Sequence, residues 1–157
     1  MLKDDTYFMK QAVKEAEKAM AKGEVPIGAV IVREGIIIAR GHNLRESKKN
    51  ALLHAETVAI DKACKKLGGW RLTDTTLYVT VEPCAMCAGA IINSRIPHVV
   101  YGTPDVRFGA AGSHLDLFRD YNLNHHVNCS FGIMQEQCLD LMQTFFKSLR
   151  IKKTTKN

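Results

Sequence analysis

In the N-terminal segment, apolar residues recur three and four positions apart: Phe8, Met9, Ala12, Val13, Ala16, Ala19 and Met20. That spacing gathers them on one face of a helix, which Asp5 or Thr6 is placed to cap and Gly23 to stop. The pattern then changes to runs rich in β-branched residues, Ile27 to Val32 and Ile36 to Ala39, separated by Arg33-Glu34-Gly35. Two such runs joined by a short polar turn ending in glycine predict a β-hairpin, so the sheet begins antiparallel. After a polar stretch from Asn43 to Asn50, the segment Ala55 to Leu67 predicts a second helix, closed by Gly68-Gly69 as a C-cap and begun at or beside His54.

The second half alternates strand and helix. Thr76 to Val81 reads as a strand, and Pro83 opens a helix that Cys84 to Asn93 continues. Val99 to Tyr101 makes a short strand, Thr103 to Ser113 a glycine-containing loop, and Val127 to Phe131 a last strand before a helix from Met134 to about Arg150. An opening hairpin followed by such alternation predicts an α/β domain with helices on both faces of a mixed sheet. Strand order has no signature in the pattern.

Composition narrows this picture. A chain of 157 residues that is 46% hydrophobic has enough apolar side chain for one core, so we expect one domain over residues 1–151. The polar, basic end 152–157 is the one segment expected to be a disordered tail. Met1-Leu2-Lys3 runs straight into Asp4 and Asp5, and no apolar run approaches a membrane span, which predicts a cytoplasmic protein with no membrane partner. Five cysteines without an export signal argue against a disulfide framework and for metal binding or burial. An excess of 22 Lys and Arg over 16 Asp and Glu, a formal charge of +6, favours polyanionic partners but does not by itself identify one.

The candidate chemistry lies in two short segments, His54-Ala55-Glu56 and Pro83-Cys84-Ala85-Met86-Cys87. They supply three metal ligands, His54, Cys84 and Cys87, and one carboxylate, Glu56. A structural zinc site is closed by four protein ligands, whereas a catalytic site keeps a position open for water, which the metal makes acidic. The sequence offers no obvious fourth ligand. Cys84 and Cys87 are three apart, hence on one side of their helix, and a helix N-terminus favours the thiolate form that binds metal. Glu56 stands close enough to His54 to serve a bound water as general acid and base while staying off the metal. Taken singly, a Cys-x-x-Cys pair also suits a redox pair or half of a structural zinc site. Both segments at helix starts, with proline directly before the first cysteine, favour the catalytic reading.

These residues carry the signature of the cytidine and nucleotide deaminase superfamily, His-x-Glu with Pro-Cys-x-x-Cys. Further stretches, Glu24-Val25-Pro26-Ile27-Gly28-Ala29, Leu77 to Cys84, Ser94-Arg95-Ile96-Pro97 and Gly109 to Ser113, make nearly the whole chain resemble the bacterial tRNA-specific adenosine deaminases. The resemblance implies a three-layer α/β/α fold around a central mixed five-stranded sheet, and a homodimer with one Zn2+ per subunit. It further implies deamination of adenosine to inosine at the wobble position, on a tRNA anticodon stem-loop. Carried over position by position, it assigns Asn43 to the flipped base and Ala55, Asn124 and His125 to the pocket or its neighbourhood. Asp105, Phe145, Phe146 and Arg150 fall to the anticodon loop. Two departures stand out: Asn50-Ala51-Leu52-Leu53 replaces the usual Pro-Thr-Ala before the histidine, and His126 stands where arginine is usual.

Several of these residues have simpler readings. Phe145 and Phe146 continue a helical face with Cys138, Leu141 and Met142, and neighbours on a helix point about 100° apart. Phe145 is therefore expected in the core and Phe146 against RNA. The basic residues Lys147, Arg150, Lys152, Lys153 and Lys156 suit phosphates and a helix C-terminus equally. Cys64, Cys129 and Cys138 lie in apolar patterns where buried thiols are routine. Two other functions remain open at this stage: a deaminase of a free base or nucleoside, guanine or cytosine, and a non-catalytic zinc module that binds RNA.

Overall fold

The computed structural model describes residues 2–119 and 122–156. Helix α1 (Asp5–Ala21) is capped by Asp4, whose side chain accepts from the Tyr7 amide at 2.9 Å, one residue earlier than expected. Strands β1 (Gly28–Arg33) and β2 (Ile36–His42) form the expected antiparallel hairpin. Helix α2 (Ala55–Leu67) has the expected bounds and ends on Gly68 in the left-handed conformation, φ 72°. Strand β3 (Thr75–Val81) leads to helix α3 (Ala85–Asn93), then come β4 (His98–Thr103), a 3-10 turn at Leu117–Arg119, β5 (Asn128–Phe131) and helix α4 (Gln135–Thr155).

The five strands lie in the order β2-β1-β3-β4-β5. β1 is antiparallel to both neighbours, and β3, β4 and β5 run parallel. Successive strand side chains face opposite ways, and two apolar layers follow from that alternation. Ala29, Ile31, Leu77, Val79, Val99 and Tyr101 face α2 and α3, meeting Ala55, Ala59, Ala63, Ala88 and Ile91. Val30, Val32, Tyr78 and Val100 face the other way, against Phe8, Met9 and Ala12 of α1 and Cys138 of α4. The result is the three-layer α/β/α domain with a mixed five-stranded sheet.

Two expectations fail at the periphery. α4 continues through Thr155, so residues 152–155 are helical rather than a disordered tail. Lysines suit a helix C-terminus, and Thr154 and Thr155 donate back to the carbonyls of Arg150 and Ile151. Cys138 is buried and Cys64 half-buried, but Cys129 is exposed because β5 is the sheet's outer strand. Among the described residues, no helix is long and apolar enough to cross a membrane.

Because β1 runs against both β2 and β3, the C-terminal ends of β2, β3 and β4 share one edge of the sheet. The N-termini of α2 and α3 open on that edge, where ligands of open α/β sheets bind. Gly41 sets how closely α2 sits: a Cβ there would lie 2.4 Å from the Ala55 carbonyl oxygen and 2.7 Å from the Ala59 nitrogen.

Candidate active site

The candidate ligands occupy two helix N-termini. His54 is the N-cap of α2, its backbone extended (φ -80°, ψ 164°). Its amide donates to Thr57 Oγ1 at 3.1 Å, which anchors the approach to the helix. Cys84 is the N-cap of α3, also extended (φ -74°, ψ 176°), so Pro83 lies just before the cap and not inside the helix as expected. Cys87 is then the third helical residue. N-cap and third residue are three apart and lie on the same side of the helix start, so Cys-x-x-Cys brings two sulfurs together there.

The three donor atoms converge. In a tetrahedral zinc site with bonds of about 2.3 Å to sulfur and about 2.0–2.1 Å to nitrogen, those two ligand atoms stand about 3.6 Å apart. Here His54 Nδ1 is 3.6 Å from Cys84 Sγ and 3.5 Å from Cys87 Sγ. All three donors lie within 4.8 Å of one another, the only such cluster among the described residues, and no fourth protein ligand joins it. Donor chemistry and spacing both fit zinc with one position open.

The electrostatics are those of a proton-sharing group. A hydrogen bond from Cys87, then one from His54, holds the Cys84 thiol well below its usual range, while the same contact with Cys84 and burial drive Cys87 up. The His54 imidazole is raised, first by its contact with Cys84. Metal binding to such a group displaces protons. Glu56 is 3% exposed, and burial pushes its carboxyl up to about 7.

A cavity of about 330 Å³ opens over this cluster, bounded by Asn43, Arg45, His54, Ala55, Glu56, Cys84, Asp105, Phe108, Met142 and Phe146 among others. A larger hollow of about 630 Å³ lies beside β4 and β5, lined by residues such as Tyr101, Asp116, His126 and Phe131, away from the metal-capable cluster. Chemistry, not size, identifies the site.

Asn43 is buried at the end of β2; its Nδ2 donates to the Val25 carbonyl at 3.4 Å and its Oδ1 accepts from the Arg45 amide at 3.1 Å. Asp105 lines the wall, but its Oδ1 accepts from the Arg107 and Phe108 amides at 3.1 and 3.2 Å and so shapes its own loop. Phe145 is 8% exposed and Phe146 41%, their rings edge-on at 5.3 Å, which gives the expected division between packing and cavity. Arg150 is exposed one turn beyond Phe146. Asn124 and His125 are not brought to this cavity. Asn124 lines a separate groove with Gly89, Ala90 and Arg95, and His125 Nε2 contacts the Ile96 carbonyl at 2.8 Å.

Two buried carboxylates that the sequence reading did not single out organise the cavity walls. Glu24, 0% exposed, accepts from the Glu46 amide at 3.0 Å, the Ser47 amide at 2.8 Å and Ser47 Oγ at 2.7 Å, fixing the loop that follows Asn43. Burial alone would raise its pKa, but the bonds from Ser47 and Glu46 outweigh that and hold it below the usual carboxylate range. Glu82, 4% exposed, accepts from the amides of Asp105 at 3.1 Å, Ala111 at 3.0 Å and Ser113 at 3.1 Å, and from Ser113 Oγ. The only sequence signal for either is a glutamate directly before a Val-Pro or Pro-Cys step.

Comparison with known proteins matches this architecture. The MafB19-like deaminase family model covers residues 3–150. The tRNA-specific adenosine deaminase of Streptococcus pyogenes serotype M18 (strain MGAS8232) is 51% identical over 152 residues, 97% of this chain and 96% of that protein. A solved structure from a study of A-to-I editing by tRNA:A34 deaminases superposes with a TM-score of 0.84 at 39% identity, over 87% of this chain and 99% of that one. The guanine deaminase of Bacillus subtilis is 41% identical but aligns over only 74% of each chain, with a TM-score of 0.64. By extent of match and by fold, the chain belongs to the MafB19-like deaminase family and, within it, to the tRNA-specific adenosine deaminases.

Proposed function

We propose that this chain hydrolyses the 6-amino group of adenosine, giving inosine, at the wobble position of a tRNA anticodon loop. The observation that carries the reading is a three-donor metal cluster with a buried carboxylate beside it that is not one of the donors. His54, Cys84 and Cys87 would hold zinc, which would supply a Lewis acid able to make water a nucleophile near neutral pH. Glu56 takes one proton from the water that adds at C6 and passes it to the ring nitrogen; it then takes the remaining proton of the new C6 hydroxyl and gives it to the amine as the C–N bond breaks and the C6 carbonyl forms. One water enters and one ammonia leaves. Asn43 commits one amide proton to Val25 and has the second for the base. Ala55 lies buried against the same space.

Adenine reaches such a cavity only by leaving its stack, which costs least in an unpaired loop. Phe146 and Arg150, four apart on α4, supply an aromatic face and a cation toward that loop. Family membership supports a homodimer with one zinc per subunit, working in the cytoplasm; sedimentation and metal analysis check the first two. The second reading is deamination of a free base or nucleoside, guanine or cytosine, in the same cavity, whose volume of about 330 Å³ suits a single base in either case. The deciding experiment is product analysis after incubating zinc-loaded protein with an adenine-bearing anticodon stem-loop, alongside free adenosine, cytidine and guanine. Inosine in the stem-loop supports the RNA reading, whereas turnover confined to a free base or nucleoside replaces it with the second.

A further inference from the structure

Phe108, 70% exposed, lines the catalytic cavity yet belongs to neither apolar core. An isolated exposed apolar side chain needs no explanation. Phe108, however, stands on backbone fixed from several sides. Asp105 Oδ1 accepts from its amide at 3.2 Å, and Gly109 donates to the Asp105 carbonyl at 2.8 Å. Gly109 also pairs with Cys84, and a Cβ there would lie 2.4 Å from both the Asp105 carbonyl oxygen and the Glu82 carboxyl. The turn that carries the ring is thus tied to the segment that carries a metal ligand. Phe146 lines the same cavity from α4.

A large ring held in water on a fixed turn beside a reactive cavity offers a π-face to something flat. When adenine turns into the cavity, its neighbour in the loop loses a stacking partner. Arg45 on the cavity wall and exposed Arg107, which precedes Phe108 in the chain, supply positive charge of the kind that phosphates attract. We propose that Phe108 is the stacking platform for the nucleobase adjacent to the target adenosine; the inference rests on the RNA reading of this same site.

The test is a binding cycle in a Glu56→Gln background, which prevents turnover. The dissociation constant of an anticodon stem-loop is measured with Phe108 or Phe108→Ala, and with either neighbour of the target adenosine intact or abasic. Phe108→Ala is expected to weaken binding roughly 5- to 100-fold, the range that base-aromatic stacking spans. Removing the stacked neighbour should cause a similar loss, the two losses should not add, and Phe108→Trp should retain affinity. Phe108→Leu keeps an apolar side chain on the turn and separates loss of the ring from loss of fold. Additive losses at both neighbours, or no loss on Phe108→Ala, overturn the proposal. So does a changed sedimentation coefficient of Phe108→Ala, which would assign the ring to an interface between copies. Absence of inosine when the unsubstituted enzyme meets the same stem-loop overturns the RNA reading along with it, whereas inosine with additive losses overturns this proposal alone.

Discussion

Replacing Glu82 with glutamine is the sharpest test of how the cavity wall is held. In the wild type, one carboxylate oxygen accepts from the Asp105 amide and Ser113 Oγ and the other from the amides of Ala111 and Ser113. A glutamine must turn its NH2 toward one of those pairs; facing Asp105 and Ser113 Oγ it leaves the Asp105 amide against a donor while the hydroxyl can turn round to accept, and facing the other pair it leaves both amides against a donor. An unpaired buried amide costs about 1–3 kcal/mol and the remaining bonds lose the charge that strengthens them, so the substitution should cost about 2–4 kcal/mol. For a domain of this size that lowers the melting temperature by on the order of 5–15 °C. The candidate metal ligands His54, Cys84 and Cys87 are untouched, so metal content should match that of the wild type, while the 105–113 loop loosens and KM for the stem-loop rises. Calorimetry, metal analysis and steady-state kinetics on one preparation read all three. A Glu82→Gln protein that melts within about 1 °C of wild type would refute the reasoning, since bonds of this number cannot be lost so cheaply unless they contribute nothing.

Three further outcomes are expected. Glu56→Gln should keep its zinc but lose at least roughly 10²–10⁴-fold in turnover, the scale of a positioned acid and base; retained activity would remove Glu56 from the proton path. Cys87→Ala should lose stoichiometric zinc on metal analysis, because two donors do not make a tight site. Glu24, whose carboxyl is held below its usual range in the folded state, should stabilise the protein at neutral pH and lose that contribution as pH falls below about 4.3 toward its folded value. In urea titrations the advantage of wild type over Glu24→Gln should therefore shrink on acidification, and growth instead would contradict the assignment.

The parts of this structure legible in the sequence are those set by local periodicity. The bounds of α2 follow from a helical run and a Gly68 that adopts the left-handed conformation, and strands β1, β3 and β4 follow from their apolar runs. The metal cluster was legible because its chemistry is written in residue types at fixed spacing on two helix starts. What local pattern does not carry is long-range pairing. Glu24 acts on Glu46 and Ser47, and Glu82 on residues from Asp105 to Ser113, so neither role exists until the sheet is assembled. Asn124 and His125 fall outside the cavity for the same reason: their place depends on how the chain after β4 folds over α3 and not on their neighbours in sequence. At the far end, a basic composition suggested disorder, yet Lys152 to Thr155 extend a helix already nucleated by Cys138 and Phe145 in the interior.

The reactive groups and the cavity walls have different mechanical owners. His54, Glu56, Cys84 and Cys87 ride on helices whose Ala59, Ala63, Ala88 and Ile91 are locked in the interior, so their mutual geometry is inherited from the scaffold. Asn43, Arg45, Asp105 and Phe108 belong to loops tethered at their bases by Glu24 and Glu82. Asn43 and Asp105 hydrogen-bond their own loops, so Arg45 and Phe108 are the wall side chains whose exchange is expected to leave the proposed proton-moving groups in place. A lineage, or an engineer, can therefore retarget this enzyme to a different base or sequence context by rewriting the rim, while the reaction centre stays invariant.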